Sequence, residues 1–484
     1  MEPHVTGTVP GVRRFFRGAR CICLTLLLTA TTTVYALDDD ADDARLQGQR
    51  PNRFTLFAAS DGVSGTELWR TNGKPGGTRM VKDINPGAGS SFPKAFTPFK
   101  GAHYFFTSSG LWKTDGTDAG TVLVKNVTLT SSSVVVMNDT LFFGGSDDGV
   151  GNDPTQFHGQ ELWKSDGTTA GTVIVKDIEL GRPGSQPNSL TVVRGILFFT
   201  AETSREGREL WKSDGTEAGT VLVKNINPVE RVSRIDYPSP TNLTAFNGLL
   251  YFSANDGPGG HGTELWKSDG TEAGTVLVKD IFPGVNPIMV PFGSNPSSLT
   301  VFHGALYFTA FDEPGRQGLW KSDGTEAGTV FVAPVTGARS LTATSRWLYF
   351  VNSDAATGAE LWRSNGTAAG TRLVKDINPG TAPSNPSDLT AFDGEVFFVA
   401  DDGVSGGELW KSNGSESGTR RVRDINPGAG SALIDVLRES HDRLYFAASD
   451  GAHGIELWKT NGATPGTAMV DDICTGACDS RPSM

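Results

Sequence analysis

The sequence predicts an all-β chain folded as a single β-propeller of nine four-stranded repeats of about 48 residues, giving eight to nine blades. Three observations predict it. Sixty glycines in 484 residues exceed the usual share of about 7%, as many short strands joined by glycine turns require. A Leu-Trp pair recurs nine times, with Trp at 69, 112, 163, 211, 266, 320, 362, 410 and 458, at spacings of 42–55 residues. No segment sustains the apolar period of a helix. Length alone would imply about three domains, but one repeat filling the chain implies one. A linear β-solenoid is the other repeat architecture, and its coils need only about 20–30 residues.

Residues 1–36 read as a secretory signal peptide. Arg13, Arg14, Arg17 and Arg20 precede the apolar stretch 21–36, and Val34 and Ala36 suit a cut after Ala36. An uncleaved anchor is the alternative, but the stretch is short of the roughly 20 apolar residues of a span. The mature chain is therefore expected to have no membrane span and to be secreted, or held at the cell surface or in the periplasm. Residues 37–52 form an acidic spacer and hold the residues, 44–52, that could supply a first inner strand.

The repeat domain covers 53–473. Each unit parses into four strands. Strand a, such as LTVF (299–302), is followed by a His-Gly, Asn-Gly or Asp-Gly turn and strand b, ALYFTA (305–310); such dipeptides are hairpin signals. A loop rich in Asp and Gly leads to strand c, ELWKS (264–268). The turn SDGTEAGT (268–275) leads into strand d, TVLVKDI (275–281), and an Asn-Pro-Gly connector ends the unit. Bulky residues on both faces, as in Leu306, Tyr307 and Phe308, suit a blade between two neighbours. Unit one lacks a clear strand a, and the last unit ends at 470–473 with no strand to lend. Closure is expected to use 44–52 or to leave a three-stranded first blade, in one ring of nine or in eight blades plus an incomplete edge unit. In the tail 474–484, Cys474 and Cys478 are the cysteines left after signal removal, and an oxidising compartment would join them in a disulfide.

The string E-L-W-x-x-D-G-T-x-x-G-T stands intact at 161–172, 209–220 and 264–275. Over about 54–473 the chain resembles the ELWxxDGT repeat family of exported bacterial proteins. The resemblance implies a secreted or surface repeat protein and no established activity. Glu gives way to Gly110 and Gly318, and Asp to Asn72, Asn365, Asn413 and Asn461. The SDGT turn is also similar to the Asp-box hairpin of sialidase-type propellers.

The turn aspartates read as structural, because a side chain that bonds backbone two residues on can be Asp or Asn, whereas a catalytic carboxylate could not become an amide. Glu and Trp recurring once per blade read as packing. His158, His261 and His453 stand three before Glu in the b–c loops, too scattered for zinc. Acidic loops leave calcium possible, without EF-hand spacing; no other cofactor is expected. No G-x-S-x-G elbow, H-E-x-x-H string or phosphate-cradling glycine loop is read in the sequence, and a net charge of −12 gives no case for nucleic acid.

Topology puts the variable b–c loops and d–a connections on one rim, and loops on a rigid frame are where recognition resides. The connections 227–240 and 282–296 are consecutive and offer Arg231, Arg234 and Tyr237 beside Ile288, Met289 and Phe292, the residue types of binding hot spots. The alternative is that both loops plug the channel. The expected function is that of an exported, non-enzymatic binding or adhesion scaffold, monomeric, recognising an extracellular glycan or surface protein through one rim. An extracellular polysaccharide hydrolase or lyase using rim carboxylates, and a structural matrix protein, are the alternatives.

Overall fold

The computed structural model describes residues 54–147, 158–181, 183–228, 240–286 and 290–484. The expected signal peptide and acidic spacer lie outside the described residues. Nine antiparallel sheets follow one another along the chain. Blade one contains β1 (Thr55–Ser60), β2 (Thr66–Thr71) and β3 (Thr78–Lys82), and each later blade has four strands in chain order. Among the described residues the helical content is a single 3-10 turn at Thr464–Gly466, and no helix is long and apolar enough to cross a membrane.

Strand a is innermost. Its threonines donate across to the next blade's strand a: Thr191 Oγ1 to Leu243 O at 3.5 Å, Thr300 Oγ1 to Leu341 O at 3.2 Å and Thr342 Oγ1 to Leu389 O at 3.3 Å. Strand b carries most of the core. Leu306, Phe308 and Ala310 are fully buried against Tyr251 and Leu265 of the preceding blade, while Tyr307 points the other way, onto Leu348 and Phe350 of the following one. That alternation is why strand b reads as apolar on both faces; each such side chain contributes about 1.5–3 kcal/mol by leaving water. A cluster of this kind fills every junction. The one joining Phe57 and Ala59 to Tyr445, Leu457 and Val470 brings blade nine onto blade one.

Of the two closures expected, the structure has the three-stranded first blade; residues 44–52 lie outside the described residues. The residues after the last strand run to the inner edge of β1. Ala58 N–H donates to Ser483 O at 2.8 Å, Ser483 N–H to Ala58 O at 2.9 Å, and Ser60 N–H to Ser480 O at 2.9 Å. Ser480 thereby stands where Ser294 stands in blade six, whose carbonyl accepts from Phe311 N–H at 2.8 Å. The segment 474–484 is part of the ring, with Cys474 and Cys478 joined in a disulfide.

The c–d turn is both a cap and a receiver. Asp269 Oδ1 accepts from Thr271 N–H at 2.8 Å and from its hydroxyl at 2.7 Å, and Thr271 Oγ1 accepts from Gly274 N–H at 2.9 Å. Asn413 accepts from Ser415 in the same way, so Asp and Asn do interchange. Two lysines of the preceding blade then grip the turn from outside. Lys267 Nζ donates to Gly324 O at 2.7 Å and Lys279 Nζ to Thr329 O at 3.1 Å. The strand d lysines are therefore ties between blades.

Candidate functional site: the connector rim

The rim is built on the recurring glutamate. Glu264 lies buried at the start of strand c and accepts four hydrogen bonds: Ile281 N–H at 3.1 Å, Phe282 N–H at 3.3 Å, Ser294 N–H at 2.8 Å and Ser294 Oγ–H at 2.5 Å. Both ends of the d–a connector are thus pinned to one carboxylate. Glu67, Glu161 and Glu360 hold both ends of their own connectors in the same manner, and Glu408 and Glu456 accept from the first end of theirs, at Ile425 and Asn426 and at Ile473 and Cys474. Burial pushes Glu161, Glu209, Glu264, Glu408 and Glu456 up to about 7, against the lowering by these donors. A raised carboxyl can mark a catalytic acid. Here the group is walled in by backbone and repeated around the ring, and its role is scaffolding. Blade six has Gly318 instead, and there Gln317 Oε1 takes over by accepting Ala338 N–H at 2.9 Å.

The b–c loops close on their own carboxylates. Asp402 Oδ1 accepts from Val404 N–H at 3.0 Å and Ser405 N–H at 2.8 Å; despite burial, these donors hold its carboxyl below the usual range. His158, His261 and His453 pair through Nδ1 with loop aspartates Asp147, Asp256 and Asp450 at 3.0, 2.7 and 2.8 Å. The aspartate hydrogen bonds raise His261 and His453. Among the described residues no group of three His, Cys, Asp or Glu is placed to hold a metal. The sequence reading overlooked one G-x-S-x-G string, at Gly403–Gly407; it is a hairpin loop whose Ser405 is tied to Asp402, with no helix following.

Of the six residues singled out in the long connections, Arg231, Arg234, Tyr237, Ile288 and Met289 lie outside the described residues. Phe292 is half-buried and stacked on Phe282, with centroids 4.6 Å apart and planes 6° from parallel. It is used up in a small hairpin, closed by Phe292 N–H to Gly284 O and Asn286 N–H to Val290 O at 2.9 Å each. The rim instead presents apolar residues that sequence reasoning missed. Val63 and Val404 are each 75% exposed at b–c loop tips, and Phe92 and Leu433 are 60% and 59% exposed in connectors. Phe92 and Leu433 have φ of 52° and 51°, in slots where Asn295 and Asn385 stand in blades six and eight. A bulky residue there is a backbone outlier. Aligning the repeats slot by slot was the signal that could have found them.

No protein-family model matches the chain, and no curated protein does. Among solved structures it is similar to puromycin hydrolase, with 15% identity and a TM-score of 0.36, covering 72% of this chain and 57% of that one. It is also similar to a eukaryotic initiation factor, with 10% identity, a TM-score of 0.48 and coverage of 86% and 95%. The β-propeller domain of the Trilobed protease from Pyrococcus furiosus matches at 8% identity, with a TM-score of 0.36 and coverage of 71% and 95%. The chain thus spans little more than half the length of puromycin hydrolase, and at these identities the likeness is one of fold.

Proposed function

We propose that this propeller is an exported binding or adhesion scaffold that takes an extracellular glycan or an envelope protein on its connector rim. The observation that carries the reading is the contrast between the two faces. The c–d turns are near-copies whose polar groups serve the frame. On the connector side, b–c loops closed by Asp61 and Asp402 lift Val63 and Val404 into solvent, and d–a connectors lift Phe92 and Leu433, both on strained backbone. Strain of this kind costs of order 1–3 kcal/mol, which supports a contact role for the exposed side chains that carry it.

Changing Phe92 and Leu433 together to Asn, the residue the slot holds elsewhere, separates the two roles. The doubly substituted protein should melt no lower than the parent, while its saturable co-sedimentation with isolated envelope and matrix polymer should fall at least tenfold. Unchanged co-sedimentation would remove the connector rim from consideration. Release of soluble fragments from the polymer would favour the hydrolase or lyase reading instead.

A further inference from the structure

Trp347 is the one tryptophan outside the nine repeats. It stands in the a–b turn of blade seven, which reads Ser345-Arg346-Trp347 instead of ending in glycine. Thr344 holds the turn, its N–H donating to Trp347 O at 2.9 Å and its Oγ1 accepting from Trp347 N–H at 3.1 Å. On strand c the same blade has Arg363 where blades three to six have lysines that donate to the next turn's glycine carbonyl. Arg363 makes no such bond. Its guanidinium carbon lies 3.7 Å from the Trp347 ring centroid, the residue is only 8% exposed, and its Nε is buried without a hydrogen-bond partner. Trp347 Nε1 is buried and unpartnered, as are the indole nitrogens of eight of the repeat tryptophans, so the unpaired Arg363 Nε is what sets this place apart.

Two more arginines complete the cluster. Arg346 lies over the same ring at 5.4 Å, and Arg372 is the cross-strand partner of Arg363. Both are exposed. Among the described residues none of the three has a carboxylate partner, although the chain has 54 acidic residues; the carboxylate nearby, Glu395, is taken by Lys411 at 2.6 Å. A buried cation left unpaired costs several kcal/mol, and like charges directly across a strand pair repel. Three neighbouring arginines and an unpartnered indole N–H leave only donors.

We propose that Arg346, Trp347, Arg363 and Arg372 form a binding site for an oxyanion, the carboxylate or sulfate group of an acidic saccharide. Guanidinium forks match planar or tetrahedral oxyanions through paired N–H groups. Arg363 and the indole N–H form the floor, and Arg346 and Arg372 close over the group from the solvent side. A net charge of −12 repels long polyanions such as nucleic acid and leaves a local site for a single charged sugar. The site lies on the turn face, opposite the connector rim, and stands apart from the function proposed above.

Calorimetric titration with oligogalacturonate, a sulfated oligosaccharide, a neutral oligosaccharide and inorganic sulfate tests it, together with melting curves. The parent should bind one or both acidic saccharides and melt higher with them. Arg363→Met should lose at least tenfold in affinity and any ligand-induced rise in melting, yet melt no lower than the parent when free, because a buried unpaired cation has been removed. The exposed pair Arg346→Ala with Arg372→Ala should lose affinity with unchanged melting. Failure of every acidic saccharide to bind, equal binding of the neutral one, binding of inorganic sulfate alone, or equal affinity in the variants would overturn the assignment. The two acidic probes distinguish carboxylate from sulfate.

Discussion

At Glu264 four donors converge on one buried carboxylate, and the geometry decides which substitutions it tolerates. In Glu264→Gln the amide nitrogen must face either Ile281 N–H with Ser294 Oγ, or Ser294 N–H with Phe282 N–H. In the first orientation the serine hydroxyl can turn round and accept, but Ile281 N–H meets another donor and is left unpaired. An unsatisfied buried donor costs about 1–3 kcal/mol, and urea denaturation should show a loss of that size. The pH dependence follows from the same group. The folded carboxyls of Glu161, Glu209, Glu264, Glu408 and Glu456 sit at about 7 against an ordinary 4.5, so the folded state holds more protons between those limits. Their contribution is complete below 4.5 and is lost as pH rises through 7. The turn and loop aspartates work the other way, since hydrogen bonds hold Asp269, Asp402 and Asp450 below their ordinary 3.8 and acid removes that contribution. The melting temperature should be highest near about pH 5 and fall towards about pH 8. The fall should be shallower in Glu264→Gln; an identical slope would show that this carboxyl does not titrate there.

Between elements, the repeat motif is a set of ties from one blade to the next. Lys267→Met keeps the aliphatic stem and loses a charged donor to Gly324 O, for an expected cost of about 1.5 kcal/mol. Gly324→Ala should cost more, because φ at this position is +94° and an added Cβ would collide with the Tyr251 hydroxyl. If both variants denature with the parent, the turn is a cap only and the blades are held by their apolar faces alone. The strands themselves were legible in the sequence, because alternation and turn dipeptides are local. The lysine ties were not, since their acceptors are backbone carbonyls about 50 residues away. Strand a was legible only in part: its register shifts between Ser297 and Thr300, with Ser298 at φ 55°, a bulge that Ser-Ser-Leu-Thr does not announce. The rim was found from topology, yet Phe292 proved to be a partner of Phe282. Two of the exposed residues, Phe92 and Leu433, break the repeat at a left-handed slot, a backbone property that composition does not carry.

Around the whole ring, eight junctions follow in chain order, and the ninth combines its apolar cluster with a short added segment. The contacts of Ser480 and Ser483 with β1 supply the inner edge that strand a supplies elsewhere, and they are too few to form a recognisable strand pattern. What positions them is the connector 472–480. Glu456 accepts from Ile473 N–H at 2.9 Å and Cys474 N–H at 3.3 Å, Ile455 N–H donates to Asp479 Oδ1 at 3.0 Å, and Ser480 N–H donates to Ile455 O at 2.9 Å. The Cys474–Cys478 bridge ties this connector into a loop, and its sulfurs pack against Gly62 of blade one. The bridge therefore stiffens the joint through which blade nine reaches blade one. A loop of this length contributes about 2 kcal/mol in the chain-entropy account, and the loss should be local, because blades couple mainly to their neighbours. Cys474→Ser with Cys478→Ser, or reductant on the parent, should raise amide exchange first in β1 and in residues 480–483, with blades four to six still protected. Exchange rising equally in every blade would mean that the ring has no weak joint and melts as one unit.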